Sequence, residues 1–265
     1  MPVCRVGAPR QSLSRVSAPN QKPAVLGNVG QRQTTGLTGK CGGRNLLSSK
    51  NYFRSACFTG GSSLYPFTPL HLGPCLAYNC NRYQTSSFRE KTEYLCQNFI
   101  QPHAHILCCL GEIDIRVHVF MQAALQGRTY RQIVDDILVQ YIEFLLRLKA
   151  QGYQVSCWGP IASQSESCPM DIRFPRSGTE EDRNRATEYF NRQLARLCRK
   201  HGMLFLSIFD KMITSDYQTQ EQYLSPAHCH LGQEALSLAL PEWQKLLQAV
   251  PNQSLQSFQQ SDQIC

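Results

Sequence analysis

The first 50 residues contain no aspartate or glutamate, although they carry eight of the 27 lysines and arginines in this 265-residue chain. The other 19 basic residues equal the 19 acidic ones, so the formal net charge of +8 arises in this segment. The segment is rich in Ser, Gln, Gly, Pro and Thr, and its apolar residues follow neither a helical nor a strand period. Such a composition buries too little surface to offset the entropy of ordering, which predicts that residues 1–50 are a disordered basic tail.

The sequence also lacks the stretches that would place it in a membrane. No run of 18 apolar residues occurs, and no apolar stretch near the start has the form of a secretory signal. The 13 cysteines are odd in number and spread along the chain, so we expect reduced thiols in the cytoplasm rather than a disulfide framework. The basic residues of the tail are dispersed and stand without aromatic residues, so no nucleic-acid partner is expected.

No metal-binding spacing is present. The chain contains neither C-x-x-C nor H-E-x-x-H. His228 and His230 flank Cys229, but no further ligand stands near them at a recognisable metal-binding spacing. The sequence therefore predicts no metal site and no cofactor, and nothing beside Cys229 would activate it as a nucleophile.

Strand-like and helix-like segments alternate after the tail. Short apolar runs predict strands at 52–58, 70–78, 105–111, 153–159 and 203–210. Periodic apolar residues predict helices at 90–100, 129–152 and 178–202, followed by two terminal helical pieces, of which Pro241 begins the second. This alternation favours one α/β domain with a mainly parallel sheet, spanning residues 51–250, and leaves 251–265 as a flexible C-terminal tail.

The residues after each predicted strand are the candidate functional residues, because ligands of such sheets lie beyond the carboxyl ends of the strands. The first predicted strand is followed by Gly60-Gly61-Ser62-Ser63, the second contains a glycine turn at Gly73, and the third is followed by "GEID". A strand followed by Gly-x-Ser can present a hydroxyl and backbone N–H groups together, as nucleophilic acyl transfer requires. A histidine late in the chain, before the last helix, could serve as the base.

This order of blocks resembles the SGNH (GDSL-like) hydrolase family over roughly residues 52–250. The resemblance implies a three-layer α/β sandwich with a flavodoxin-like sheet. It also implies that Ser62 is the nucleophile, that the N–H groups of Ser62 and Gly73 form part of the oxyanion hole, and that His230 is the general base. The string "ILCCLGEIDIRVHV" is similar to a branch in which G-E-I-D replaces G-x-N-D.

Two side chains of the family pattern are missing. The family's oxyanion-hole asparagine falls at Ile113, which has no donor, and Arg116 could supply that charge stabilisation instead. The family's acid falls at Ala227. A serine–histidine pair works less well without its acid, because the acid fixes the histidine tautomer and stabilises the imidazolium.

Other polar residues could line the site or complete it. The acid could be replaced by His228, Glu112 or Asp114, and Ser63 is a rival to Ser62 for the nucleophile. Glu112 and Arg116 could equally form an ordinary ion pair.

Two functions follow from this pattern. The first is a serine hydrolase that cleaves a carboxylic ester, on a small molecule or as O-acyl groups of a glycan, through an acyl-enzyme. The second is a catalytically degenerate SGNH fold that acts as a ligand-binding or carbohydrate-binding module. The hydrolase is the first prediction, and the missing donor at Ile113 and the missing acid at Ala227 are the reasons for keeping the second as an alternative.

Overall fold

Five parallel strands form one sheet in the order β2-β1-β3-β4-β5. The structure, a computed structural model, describes residues 24–27, 68–82, 88–170, 172, 175–225 and 230–249. The strands are β1 Ala24–Gly27, β2 Thr68–His71, β3 His105–Cys109, β4 Gln154–Trp158 and β5 Leu204–Leu206. This is the strand order of doubly wound, flavodoxin-like sheets, so the predicted fold class is confirmed.

Helices connect the strands and cover the sheet. They are α1 Phe88–Asn98, α2 Phe120–Gln126, α3 Tyr130–Ala150, α4 Glu180–Lys200, α5 Phe209–Met212 and α6 Leu236–Ala249. A π-helical turn, Asp114–Val119, runs directly into α2, and short 3-10 helices occupy Ala77–Asn79, Glu221–Tyr223 and Gln233–Ala235. Capping boxes at Thr129 and Thr179 begin α3 and α4.

Alternate residues of the central strands enter two separate apolar layers. Ile106 and Cys108 of β3 pack in a cluster with α1, α3 and α4, whereas Leu107 of the same strand packs in a second cluster with α5 and α6. Trp158 joins the second cluster, where its ring lies 6.3 Å from that of Trp243. The domain is therefore a three-layer sandwich. Among the described residues, no helix is long and apolar enough to cross a membrane.

The cysteines of the described residues are joined by no disulfide. Cys80, Cys108, Cys157 and Cys198 have no exposed surface and belong to the cluster beneath α3 and α4. Burial raises the pKa of the Cys108 and Cys157 thiols well above the ordinary value, since the thiolate would lose its hydration. These residues act as small apolar side chains of the core.

Most predicted elements agree with the structure within a few residues, and three predictions are wrong. Strand β1 lies inside the segment 1–50 that was predicted to be disordered; the rest of that segment, the predicted strand 52–58 and the tail 251–265 lie outside the described residues. The predicted strand 70–78 is a strand only to His71, and the chain then turns at Gly73. Pro241 lies inside one continuous helix, α6, rather than at the start of a second helix.

The physical reasons for these differences are local. The strand "AVLG" is four residues long and has polar flanks, so composition averaged over 50 residues conceals it. Pro241 is exposed on the second turn of α6, where water can bind the carbonyl group that its missing N–H leaves unpaired.

We predict that deletion of residues 1–50 abolishes folding, because β1 is paired on both sides and β2 has no other strand partner in the described sheet. Cooperative thermal unfolding followed by circular dichroism should disappear. In the full chain, Leu26→Pro removes one N–H from the centre of the sheet and should lower the stability by about 1–3 kcal/mol. Unchanged melting of the deleted chain would mean that β1 contributes nothing to the fold.

A polar pair joins β3 to β4 on the α6 side of the sheet. His105 Nε2 lies 2.7 Å from Ser156 Oγ, and the two residues are 8% and 1% exposed. His105 Nδ1 is buried without a hydrogen-bond partner among the described residues. Burial lowers the pKa of His105 to about 4, because a charged imidazolium would be poorly solvated there.

This pair predicts a pH-dependent stability. Between about pH 6.5 and pH 4 the unfolded chain binds a proton at His105 that the folded chain does not, so the stability should fall as the pH falls. The effect should be on the order of 3 kcal/mol across that window. Urea unfolding at several pH values should show that the stability of His105→Asn lacks this decrease between pH 6.5 and pH 4, whereas the original chain has it. Parallel curves for the two chains would contradict the prediction.

Candidate functional site

The carboxyl ends of the strands meet at one edge of the sheet, and the segments that follow them form the candidate site. Strand β1 is the second strand of the sheet and lies between β2 and β3. It ends at Gly27, and the next four residues in the sequence are Asn28, Val29, Gly30 and Gln31. None of these four carries a hydroxyl or a thiol. Ser62 follows Gly27 by 35 residues.

The segment after β3 turns sharply at Gly111. Its φ is +108°, and a Cβ there would lie 2.7 Å from the Phe190 ring of α4, so a side chain is excluded by both conformation and space. The π-helical turn from Asp114 to Val119 follows directly. Such turns are rare and are frequent at functional sites.

The Asp114 carboxylate bridges the ends of two strands. It is 1% exposed and accepts hydrogen bonds from the backbone N–H groups of Ala77 (2.8 Å) and Tyr78 (3.1 Å), in the segment after β2. Burial raises the pKa of Asp114 to about 6, an effect that these two hydrogen bonds oppose and that the nearby Glu112 charge reinforces. The bridge holds the segment after β2 against the segment after β3.

Glu112 and Arg116 form an ion pair at the mouth of a small pocket. Arg116 Nε lies 2.7 Å from Glu112 Oε1, and the two side chains are 8% and 22% exposed. The pocket is a shallow cleft that has room for about one water-sized group. Its remaining lining residues come from the segments after β3 and β4 and from α4: Ile115, Pro160, Ile161, Ala162, Ser163 and Thr187.

A fully buried arginine of α4 holds the wall of this pocket. Arg183 Nε donates to Ser163 Oγ at 2.7 Å, and its Nη2 donates to the Gln164 carbonyl at 2.8 Å. The same Nη2 lies 3.0 Å from Glu166 Oε1. Asn184 adds a hydrogen bond from the Ser163 N–H to its side-chain oxygen at 2.8 Å. The wall after β4 is thus held rigidly on the helix beneath it.

Some predicted site residues are brought together and others are not. Glu112 and Arg116 share the pocket, whereas Asp114 points away from their pair and binds the segment after β2. Gly73 has a φ of +81° and open space where a Cβ would be. His230 is half-buried, and its carbonyl accepts a hydrogen bond from the Ser225 N–H at 2.7 Å. The remaining predicted residues, Ser62, Ser63, Ala227 and His228, lie outside the described residues.

Sequence reasoning missed Arg183 and the wall that it holds. A signal was present, since Arg183 lies three and seven residues before Ala186 and Phe190, on the apolar side of α4. A charged residue at such a position must find buried partners. In the part of the chain that is described, no group of three His, Cys, Asp or Glu side chains could hold a metal ion.

The solved structures to which this chain is similar are SGNH and GDSL-like hydrolases. A Bacteroides fragilis protein provisionally described as an acylhydrolase is 14% identical, with a TM-score of 0.48 over 69% of this chain and 75% of that one. A GDSL-like lipase from Bacteroides thetaiotaomicron is 12% identical, with a TM-score of 0.47 over 69% and 76%. An extracellular lipase from Streptomyces rimosus is 13% identical, with a TM-score of 0.39 over 69% and 82%.

The resemblance predicted from the sequence is thereby confirmed, and it extends to the fold alone. The G-E-I-D variant of the third block stays a prediction. No protein-family model and no curated protein matches the sequence.

We predict that Asp114→Asn changes both the stability and its pH dependence. An amide has one acceptor oxygen, so one of the two buried N–H groups loses its partner, which should cost about 1–3 kcal/mol; at pH 7 the removal of the buried charge offsets part of this cost. Between about pH 4 and pH 6 the folded chain binds a proton at Asp114 that the unfolded chain does not, so this group makes stability fall as pH rises.

Urea unfolding at several pH values measures both effects. The part of the pH dependence of stability that Asp114 causes should be absent in Asp114→Asn. Over the same pH range His105 changes the stability in the opposite direction. The original chain should therefore have a flatter profile between pH 4 and 6 than either single variant. A constant difference between Asp114→Asn and the original chain at all pH values would contradict the assignment.

Proposed function

We propose that this protein is a non-catalytic member of the SGNH-like fold that binds a polyhydroxylated ligand, such as a carbohydrate, at the carboxyl edge of its sheet. The observation that carries the proposal is the position of β1. In the hydrolases that the chain resembles, the nucleophilic serine comes directly after the first strand. Here the first strand in the chain order of the described sheet ends at Gly27, and Asn28 and Val29 follow it.

Two other catalytic positions support the same conclusion. Ile113 is 7% exposed and has an aliphatic side chain, so it cannot donate a hydrogen bond to an oxyanion. Ala227 cannot orient or charge-stabilise a histidine at position 230. An aliphatic residue at 113 and an alanine at 227 leave a fold with a pocket and without two of the side chains that assist acyl transfer.

The pocket retains the groups that bind hydroxyls. The Glu112 carboxylate accepts hydrogen bonds and the Arg116 guanidinium donates them, so the pair can bind two neighbouring hydroxyl groups of one ligand. The half-buried Ile161 supplies an apolar contact beside the ion pair, against which a C–H group at the edge of a sugar ring could pack. Because Arg183 and Asn184 already hold the wall in place, binding should require little reordering.

Binding should be measured with the full chain by NMR titration against glucose, xylose, N-acetylglucosamine and short xylo-oligosaccharides. We expect shifts of residues that line the pocket and at least a tenfold weaker affinity in Glu112→Gln, which keeps the size of the side chain and removes its charge. The matched control is Glu93→Gln, since Glu93 forms a similar i,i+4 ion pair with Arg89 on α1. Equal affinity of Glu112→Gln and Glu93→Gln would rule out the pocket.

A fluorophosphonate probe decides between binding and hydrolysis. We expect no covalent labelling and no cleavage of small aryl esters. Labelling that disappears in both Ser62→Ala and His230→Ala would overturn the proposal in favour of a serine hydrolase acting through those two residues.

A further inference from the structure

One side of α4 carries a row of exposed arginines. Arg185, Arg192, Arg196 and Arg199 follow one another at intervals of seven, four and three residues, with Tyr189 in the same row. Residues at these spacings share one face of an α-helix, and the row spans about 21 Å. All four arginines are exposed, so the face is open in the monomer.

The C-terminal part of this row has no neutralising carboxylates. Arg185 pairs with Glu181 at 2.8 Å, but no aspartate or glutamate occurs from Tyr189 to Ser207. Among the described residues, no carboxylate lies within ion-pair distance of Arg192, Arg196 or Arg199. The helix dipole accounts for a cation in the last turn, such as Arg199, but not for Arg192 or Arg196.

Aromatic contacts hold part of this face in one arrangement. The guanidinium groups of Arg131 and Arg192 lie 5.5 and 5.8 Å from the centre of the Tyr189 ring. The Tyr189 hydroxyl donates to Asp135 of α3 at 3.0 Å, and the Tyr130 ring meets the Tyr189 ring edge-on at 6.3 Å. Guanidinium groups held in this way lose less conformational entropy when they bind an anion.

The neighbouring helix α3 adds an exposed apolar residue beside the arginines. Val139 is 54% exposed and lies one turn after Asp135, whose carboxylate binds Tyr189 of α4. Residues four apart lie on the same side of a helix, so Val139 lies on the side of α3 that faces α4. Lys149 lies near the end of α3 on the same side, and its ammonium group donates a hydrogen bond to the His201 carbonyl at the end of α4. The surface where α3 and α4 meet, called the α3–α4 groove below, thus combines one exposed apolar side chain, Val139, with a row of arginines.

We propose that this groove binds an acidic, amphipathic segment of a partner protein. Carboxylates of the segment would pair with Arg192, Arg196 and Arg199, and an apolar side chain would cover Val139. Single-stranded nucleic acid fits less well, because two guanidinium groups and Tyr130 already surround the Tyr189 ring that would otherwise stack on bases. Asp135 and Glu188 would also repel a long polyanion along the first half of the row.

The test is fluorescence anisotropy with the full chain and three labelled probes. The first is a helical peptide of about 15 residues, long enough to match the row, with glutamates at i, i+4, i+7 and i+11 and leucines between them. The second has glutamine at every glutamate position, and the third is oligo-dT of similar length. We expect the acidic peptide to bind best and to weaken as salt increases.

Variants locate the binding. The triple variant Arg192→Gln, Arg196→Gln, Arg199→Gln should bind the acidic peptide about tenfold more weakly, since each exposed pair contributes roughly two- to threefold. Val139→Asp should also weaken it. The matched control, Arg82→Gln, Lys91→Gln, Lys211→Gln, changes the net charge equally at other surfaces and should bind as the original chain does.

Each other outcome overturns the proposal. Absence of acidic-peptide binding does so directly. An equal loss in the control variant would mean that net charge alone attracts the peptide, and an unchanged affinity in the triple variant would place binding elsewhere on the chain. Tighter binding of oligo-dT, lost in the triple variant, would assign the groove to nucleic acid instead.

Discussion

The pairing of β1 with β2 on one side and β3 on the other is the constraint from which the candidate site follows. Strand β2 pairs within the described sheet only through β1. The 3-10 helix that follows it, Ala77–Asn79, is held in addition by its hydrogen bonds to Asp114 and by the core beneath α3. Four residues of β1 therefore support one half of the carboxyl edge.

The other half of that edge depends on a different kind of interaction. Buried ionic and polar side chains, rather than strand pairing, hold the segment after β4. Arg183 of α4 binds this segment through Ser163. Asn184 connects it to Thr219, whose Oγ1 accepts a hydrogen bond from the Asn184 side chain at 3.0 Å. Such networks cost desolvation energy and are favourable only when every member has a partner. The site thus consists of one half held by strand pairing and one half held by side chains, with the Glu112–Arg116 pair where they meet.

Sequence periodicity predicted the regular core well, because burial of apolar residues determines it. The helices around Leu138 and Leu194 and the buried strand "HILCC" follow directly from spacing and length. Strand β1 was missed because four apolar residues among many polar ones give too short a signal to separate from a tail.

The candidate site was less predictable, because its shape depends on contacts between distant segments. In "GEIDIRVH" polar and apolar residues alternate as in a strand, yet a π-helical turn forms, since Asp114 gains two backbone donors from residues 36 and 37 positions earlier. Arg183 could have been suspected from its apolar neighbours, but its partners Ser163 and Gln164 could not. That Ser62 follows the end of the first described strand by 35 residues in the sequence is likewise known only once β1 is assigned.

The buried cysteines beneath α3 and α4 can report how this domain unfolds, because their thiols react only where the structure has opened. Cys80, Cys108, Cys157 and Cys198 come from four separate segments of the chain and are all buried in one apolar cluster, so an alkylating reagent can reach them only after helices leave the sheet. Among the described cysteines, the half-buried Cys168 would be modified first. The order in which the buried four are modified would then map which part of the sandwich separates first, without any probe being added to the protein.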